Sequence, residues 1–111
     1  MGEVVGLEKP MGGSGSAKME LVVDKLTSMN NGSYELLASG EIYKGSWLLV
    51  LHEITMHTQV GIYRVVNGVV GCDEEPNYYK VTVESGALKV QQSGSTTALN
   101  TYIFLYQVKG G

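Results

Sequence analysis

The side chains that could do chemistry are few, and two histidines in the string HEITMH at 52–57 come first. A zinc-binding H-E-x-x-H motif needs its histidines four residues apart on one face of a helix, with the glutamate as base. His52 and His57 are five apart in a segment typical of a strand, where an odd spacing puts the two rings on opposite faces. The pattern therefore predicts no metal site and no cofactor.

Cys72 is the single cysteine, so the chain cannot form an internal disulfide. A catalytic cysteine works as a thiolate, which positive surroundings favour. Asp73, Glu74 and Glu75 follow Cys72 directly, and their charges should raise the pKa of the thiol. The sequence predicts no catalytic residue, and we expect a protein that is not an enzyme.

The acidic string GCDEEPNYY at 71–79 is the densest polar feature. Its oxygens would suit Ca²⁺, but their spacing does not match the twelve-residue EF-hand loop, so a solvated loop is the simpler interpretation. Tyrosine adds rigid, amphipathic contact area at low entropic cost. We predict an outer surface that binds a glycan or a protein receptor, formed by Asp73, Glu74, Asn77, Tyr78 and Tyr79.

These side chains must be positioned by short strands, because no stretch of ten or more residues has a helical period. Asn67-Gly68 joins two apolar runs and predicts a two-residue hairpin turn. The pattern predicts an all-β fold, an antiparallel, jelly-roll-like β-sandwich of about seven to eight strands. The expected strand runs are 19–26, 34–40, 46–54, 58–66, 69–71, 78–84, 87–92 and 101–108, with 41–45 as a further short one.

Two of these runs, 46–54 and 101–108, are apolar on both faces. A sandwich this small has one core, so the second apolar face of each strand needs a cover. A loop or the N-terminal arm of the same chain is one candidate, and a second copy of the protein is the other, which we favour because large apolar patches usually mark interaction sites. The predicted oligomer interface comprises Trp47, Leu48, Ile103 and Leu105.

Residues 1–18 differ in composition from the domain at 19–111, because they include the flexible Gly/Ser-rich string GGSGSA at 12–17. The favoured interpretation is a frayed end with no packing role. The alternative is an arm that reaches a neighbouring subunit and holds it through Val4, Val5 and Leu7.

Charge and hydropathy exclude several classes of partner. The formal net charge is −3 and the eight basic residues are scattered, so no basic patch predicts nucleic-acid binding. No apolar run approaches the roughly 18–20 residues of a spanning helix. The start of the chain also lacks a signal-peptide pattern, and we expect synthesis in the cytoplasm.

The stretch SGALKVQQSGSTTALNTYIFLYQV at 85–108, with its closing aromatic strand, resembles the small β-sandwich domains of bacteriophage fibres and receptor-binding proteins. The resemblance rests on the string of short strands and the closing aromatic strand, which follow a Gly-rich N-terminal lead, and it covers about 19–108. It implies a trimer in a virion, made in the host cytoplasm, that presents loops to a host surface. The chain has no repetitive shaft, which suggests a head, a decoration or a small tail component.

The sequence therefore leaves two alternative hypotheses for the function. The first is a non-enzymatic structural and adhesion module that self-associates through apolar strands and contacts a partner or host surface through loops. The alternative is a small β-barrel domain that binds a small molecule in a Tyr-lined interior pocket, with or without enzymatic activity.

Overall fold

The computed structural model describes residues 18–56 and 58–109, and these form eight strands in two antiparallel sheets with no helix among them. The five-stranded sheet has the order β1-β8-β3-β4-β5, and the three-stranded sheet has the order β2-β7-β6. The predicted all-β sandwich is confirmed. The strands are β1 Lys18–Met29, β2 Tyr34–Leu37, β3 Ser46–Glu53, β4 Val60–Val66, β5 Val69–Glu74, β6 Tyr79–Glu84, β7 Ala87–Gln92 and β8 Leu99–Lys109.

The predicted N-terminal arm lies outside the described residues apart from Lys18, which begins β1. The short run at 41–45, expected as a further strand, forms turns instead. The Glu41 amide donates to the Ala38 carbonyl, and the Lys44 amide donates to the Glu41 carbonyl. These turns bury Ile42 in the core and leave Tyr43 at the surface.

The predicted Asn67-Gly68 hairpin is confirmed. Val66 pairs with Val69 across the turn, and both turn residues have positive φ angles, 51° at Asn67 and 82° at Gly68. Left-handed backbone at both positions is what a type I′ turn requires, and it matches the twist of the flanking strands.

The core lies between the two sheets and follows the alternation along each strand. In β6, Tyr79, Val81 and Val83 lie on one side of the strand, and that side faces inward. In β7, Leu88 and Val90 are buried. The largest fully buried side chains are Met29, Ile42, Leu49, Leu51, Glu53, Val65, Leu88, Val90, Gln92, Leu99, Ile103 and Leu105.

Gln92 is a polar member of this core, and it organises the connection between β7 and β8. Its amide nitrogen donates to the carbonyls of Met29 and Ser95, at 3.2 and 3.0 Å, while its side-chain oxygen accepts from the Ser95 amide. Since buried polar groups are costly when unpaired, these bonds fix the loop against the end of β1.

Candidate functional site

The candidate site is the side of the five-stranded sheet that faces away from the three-stranded sheet, here called the outer face. Paired residues on neighbouring strands share a face, so the register defines it row by row. One row runs through Leu26, Tyr102, His52 and Val60, and the next through Asp24, Phe104, Val50 and Ile62. A third row runs through Leu21, Tyr106, Leu48 and Arg64.

Apolar and aromatic side chains occupy the centre of the outer face. Leu48 and Val50 of β3 lie beside Tyr106 and Phe104 of β8, and all four are half-buried. The rings of Tyr102 and Phe104 are stacked, with centroids 6.0 Å apart. Exposure increases towards β1, where Leu21 and Leu26 are 44% and 53% exposed.

Both faces of β3 and both faces of β8 are apolar, as predicted. The predicted interface residues, however, do not all lie on the outer face, because some of them face the core. Trp47, Ile103 and Leu105 are 4%, 0% and 0% exposed within the single chain. They belong to the core, where a second copy cannot contact them, and their assignment to an oligomer interface is wrong. Leu48 alone of the predicted set lies on the outer face.

Charged side chains lie towards the margins of the outer face. Asp24 is on β1, at one edge of the sheet. On β4 the Arg64 guanidinium makes a two-pronged ion pair with Asp73 of β5, with Nε–Oδ2 at 2.7 Å and a terminal nitrogen–Oδ1 at 2.8 Å. The hydrogen bond from Arg64 lowers the pKa of Asp73. An apolar centre with a charged margin is the usual anatomy of a protein interface.

The acidic segment expected as one contact surface is distributed over three environments. Asp73 and Glu74 lie in β5 rather than in a loop. Asn77 and Tyr78 are exposed in the connection to β6, where the Gln59 side chain accepts from the Asn77 amide and donates to its carbonyl. Tyr79 is 7% exposed, so its place in an outer contact surface is wrong.

Cys72 lies on β5 beside a surface hollow of about 330 Å³ that Tyr63 and Tyr79 also line. Lost hydration and the negative charge of Glu75 raise the pKa of the thiol, as the acidic neighbours predicted. Burial likewise raises the pKa of Tyr63. Both groups are therefore protonated at neutral pH, which is unfavourable for a nucleophile or a general base.

The described residues contain no group of three or more His, Cys, Asp or Glu that could hold a metal ion. Across the same residues no helix is long and apolar enough to cross a membrane.

Glu53, which sequence reasoning missed, organises the loop after β3. It is 1% exposed, and one carboxylate oxygen accepts from the amides of Thr55 and Met56 at 2.8 and 2.6 Å. The other accepts from the Gln59 side chain, which in turn holds Asn77. A polar residue at an inward position of an otherwise apolar strand was the available signal.

No protein-family model, curated protein or solved structure matches this chain. The outer face and its surroundings are therefore interpreted from their own geometry.

Proposed function

We propose that the protein is a structural, non-enzymatic module that associates with copies of itself through the outer face. The observation that carries the proposal is the cluster of Leu48, Val50, Phe104 and Tyr106, half-buried at the centre of the sheet face that points away from the three-stranded sheet. Removing such a side chain fully from water contributes roughly 1.5–3 kcal/mol, and less where it is already half-covered.

The size of the outer face supports a second copy as its occupant. Five strands about 4.8 Å apart, with central strands β3 and β4 of eight and seven residues, give a face roughly 20 by 25 Å. Two such faces in contact would bury on the order of 1,000 Å² in total, close to the minimum for a specific interface.

The charges on the outer face also favour a copy of the same chain. Asp24 and the Arg64–Asp73 ion pair lie on opposite sides of the apolar centre. A two-fold axis in the plane of the contact, perpendicular to the line between them, sets Asp24 of each copy against Arg64 of the other. The guanidinium has N–H donors beyond the two that Asp73 uses. Such an interface is self-complementary, as symmetric association requires.

Sedimentation velocity of Leu48→Lys tests this proposal, and Leu36→Lys is a matched control. Leu36 is 54% exposed on β2 and faces outward from the three-stranded sheet, so it receives the same substitution away from the proposed interface. We expect the wild type and Leu36→Lys to sediment at a multiple of the 12.0 kDa chain and Leu48→Lys to sediment as a folded monomer. A wild type that stays monomeric at every concentration, or equal dissociation of both variants, overturns the proposal.

Membership of a virion-like assembly is part of the same proposal, with a two-fold dimer as its unit in place of the trimer expected from the sequence. Contact with a receptor through the exposed connection around Asn77 and Tyr78 is a further part of it. The two bonds between Gln59 and the Asn77 backbone support a pre-ordered contact loop. Tyr78 has a φ of 72° and lies against Gly94, where an added Cβ would be 3.4 Å from the Tyr78 ring.

A glycan array tests this contact. We expect the wild type to bind and Tyr78→Ala to lose binding. Tyr34 is an exposed tyrosine on β2, so Tyr34→Ala should still bind. Equal binding by both variants contradicts this contact.

The hollow of about 330 Å³ that Tyr63 and Tyr79 line is one observation in favour of the small-molecule alternative. It lies between edge strands β5 and β6, and exposed Lys80 and Thr82 form part of its wall. The alternative predicts a monomer that binds a small molecule there, with binding lost in Thr82→Trp. The self-association proposal predicts an oligomer that Thr82→Trp leaves intact.

A further inference from the structure

His52 is a histidine on the apolar outer face, and histidine is the side chain that ordinarily gains a charge between pH 8 and pH 5. It is half-buried near the end of β3, where its neighbours in the same row are Tyr102 on β8 and Val60 on β4. The centroids of the His52 and Tyr102 rings lie 6.3 Å apart, with the planes tilted by 31°. The next residue along β3, Glu53, faces the core. Acidification therefore adds a positive charge to the outer face at this point.

The described residues place few charged or titratable groups around His52. On β8 the neighbour is the Tyr102 phenol, and on β4 two apolar side chains precede Arg64, which is paired with Asp73 of β5. On β1 the nearest charge is Asp24, one row away. With strands about 4.8 Å apart and rows about 6.8 Å apart, Asp24 and Arg64 lie about 12 and 14 Å from His52. Charges at such distances are largely screened by salt, so no acidic group compensates a charge on this imidazole.

The two-fold axis of the proposed dimer passes close to His52. It lies midway between Asp24 and Arg64, perpendicular to the line that joins them. Those two residues are one row apart, because β1 bulges between Leu21 and Val23 and brings Leu21, rather than Asp24, into the row of Arg64. The axis is therefore inclined to the strands and passes within about 3 Å of His52 on the same strand and row spacings. A residue beside a two-fold axis faces its own copy.

We propose that His52 makes association through the outer face depend on pH, so that the dimer dissociates as the two imidazoles take up protons. This regulation rests on the self-association proposed above and assigns it to one side chain. In the single chain His52 is half-buried and retains contact with water. In the dimer each imidazolium would be covered by apolar side chains and would face a second imidazolium. Both the lost hydration and the like charge disfavour the protonated form there.

The contact between His52 and Tyr102 does not change the direction of this effect. An aromatic ring attracts a nearby cation, but this ring belongs to the same chain and is present in monomer and dimer alike. Between about pH 7 and pH 5 the monomer therefore binds more protons than the dimer. Proton uptake draws the equilibrium towards the state that binds more protons, so association weakens as pH falls.

Sedimentation equilibrium at pH 7.5 and pH 5.5 tests the inference. The proteins are wild type, His52→Gln, His52→Lys and, as control, His57→Gln at the other histidine of the chain, which lies outside the described residues. Glutamine is polar but does not titrate, whereas lysine keeps its charge at both pH values. Carboxylates ordinarily titrate near pH 4, so this range separates the histidine effect from theirs.

We expect the wild-type dissociation constant to rise about tenfold or more from pH 7.5 to pH 5.5, and His57→Gln to follow the wild type. His52→Gln should form the dimer equally well at both pH values. His52→Lys carries a permanent charge and should be mostly monomeric at both. Circular dichroism at pH 5.5 checks that each protein is folded, so that dissociation is not mistaken for unfolding.

The outcomes separate this inference from the proposal on which it rests. A wild-type dimer with the same dissociation constant at both pH values overturns the role of His52 and leaves self-association standing. A pH dependence that persists in His52→Gln, or that His57→Gln abolishes, also overturns it, because another group would then be responsible. A wild type that is monomeric at both pH values overturns self-association through the outer face, and the role of His52 with it.

Discussion

The Tyr79 hydroxyl lies 2.5 Å from Oγ1 of Thr101 in the buried interior, and this contact joins the two sheets of the sandwich. Tyr79 is on β6 of the three-stranded sheet, and Thr101 is on β8 of the five-stranded sheet. Because Thr101 Oγ1 also donates to the Leu99 carbonyl, the Tyr79 hydroxyl is the donor to Thr101. The contact therefore fixes the position of one sheet on the other, which apolar packing alone leaves adjustable.

Removing this hydroxyl should lower the free energy of unfolding. We expect Tyr79→Phe to cost about 1–2 kcal/mol, because Thr101 Oγ1 loses a buried donor while the ring is kept. Tyr34→Phe, at a tyrosine 53% exposed on β2, should change stability by less than about 0.5 kcal/mol. Urea unfolding measures both, and equal stability of Tyr79→Phe and wild type would contradict the assigned bond.

Stability should fall at alkaline pH. Burial raises the pKa of Tyr63, with contributions from the nearby Cys72 and Glu75, and burial also raises the pKa of Tyr79. Below about pH 10, the pKa of tyrosine in the unfolded chain, both states keep the proton and the stabilisation is complete. Above that pH the unfolded chain releases protons that the folded chain retains, so the free energy of unfolding falls as pH rises.

Urea unfolding between about pH 8 and pH 11 measures this slope. Tyr63→Phe should show a shallower fall than wild type, since it removes one of the groups whose pKa is raised. Tyr34→Phe should keep the wild-type slope. The explanation fails if all three proteins lose stability in parallel.

Glu53→Gln should loosen the loop after β3. The carboxylate accepts from two backbone amides, and charge-assisted bonds of this kind are stronger than neutral ones. We expect a loss of about 2 kcal/mol together with faster exchange of the Thr55 and Met56 amides. Glu84→Gln, which weakens a surface contact to Lys89, is the control. Unchanged exchange of the two amides in Glu53→Gln would rule out this role.

Gly68→Ala should destabilise the β4–β5 hairpin more than a positive φ alone explains. A Cβ at Gly68 would lie 2.3 Å from the Tyr43 ring, so the ring must move. Gly32 has a similar φ of 89° with open space around it, so Gly32→Ala isolates the backbone strain. We expect about 1 kcal/mol for Gly32→Ala and roughly 1 kcal/mol more for Gly68→Ala. Thermal unfolding compares them, and equal losses would exclude ring displacement.

The strands were predictable because period-2 alternation and turn residues are local signals. The Asn67-Gly68 turn even fixes the register of β4 with β5, from which the proximity of Arg64 and Asp73 follows. The same signals could not predict which side of β3 and β8 faces the core. Both sides are apolar, so alternation identifies two faces without indicating which one the three-stranded sheet covers.

The remaining site features depend on contacts distant in sequence. The bond between Tyr79 and Thr101 spans 22 residues, and the bond between Gln92 and Met29 spans 63. No local pattern encodes such contacts, which is why Tyr79 was predicted at the surface. The contacts of Glu53 are local by comparison, with Thr55, Met56 and Gln59, and its polar side chain at an inward position of β3 was a signal that the prediction did not use.

The bulge between Leu21 and Val23 affects where copies would meet in the proposed assembly. β1 is an edge strand, and a regular edge invites further strands to add one after another, as in a fibril. The bulge interrupts the regular ladder of β1. In the proposed assembly β1 is therefore a poor template for a further strand, and copies would meet through the outer face instead.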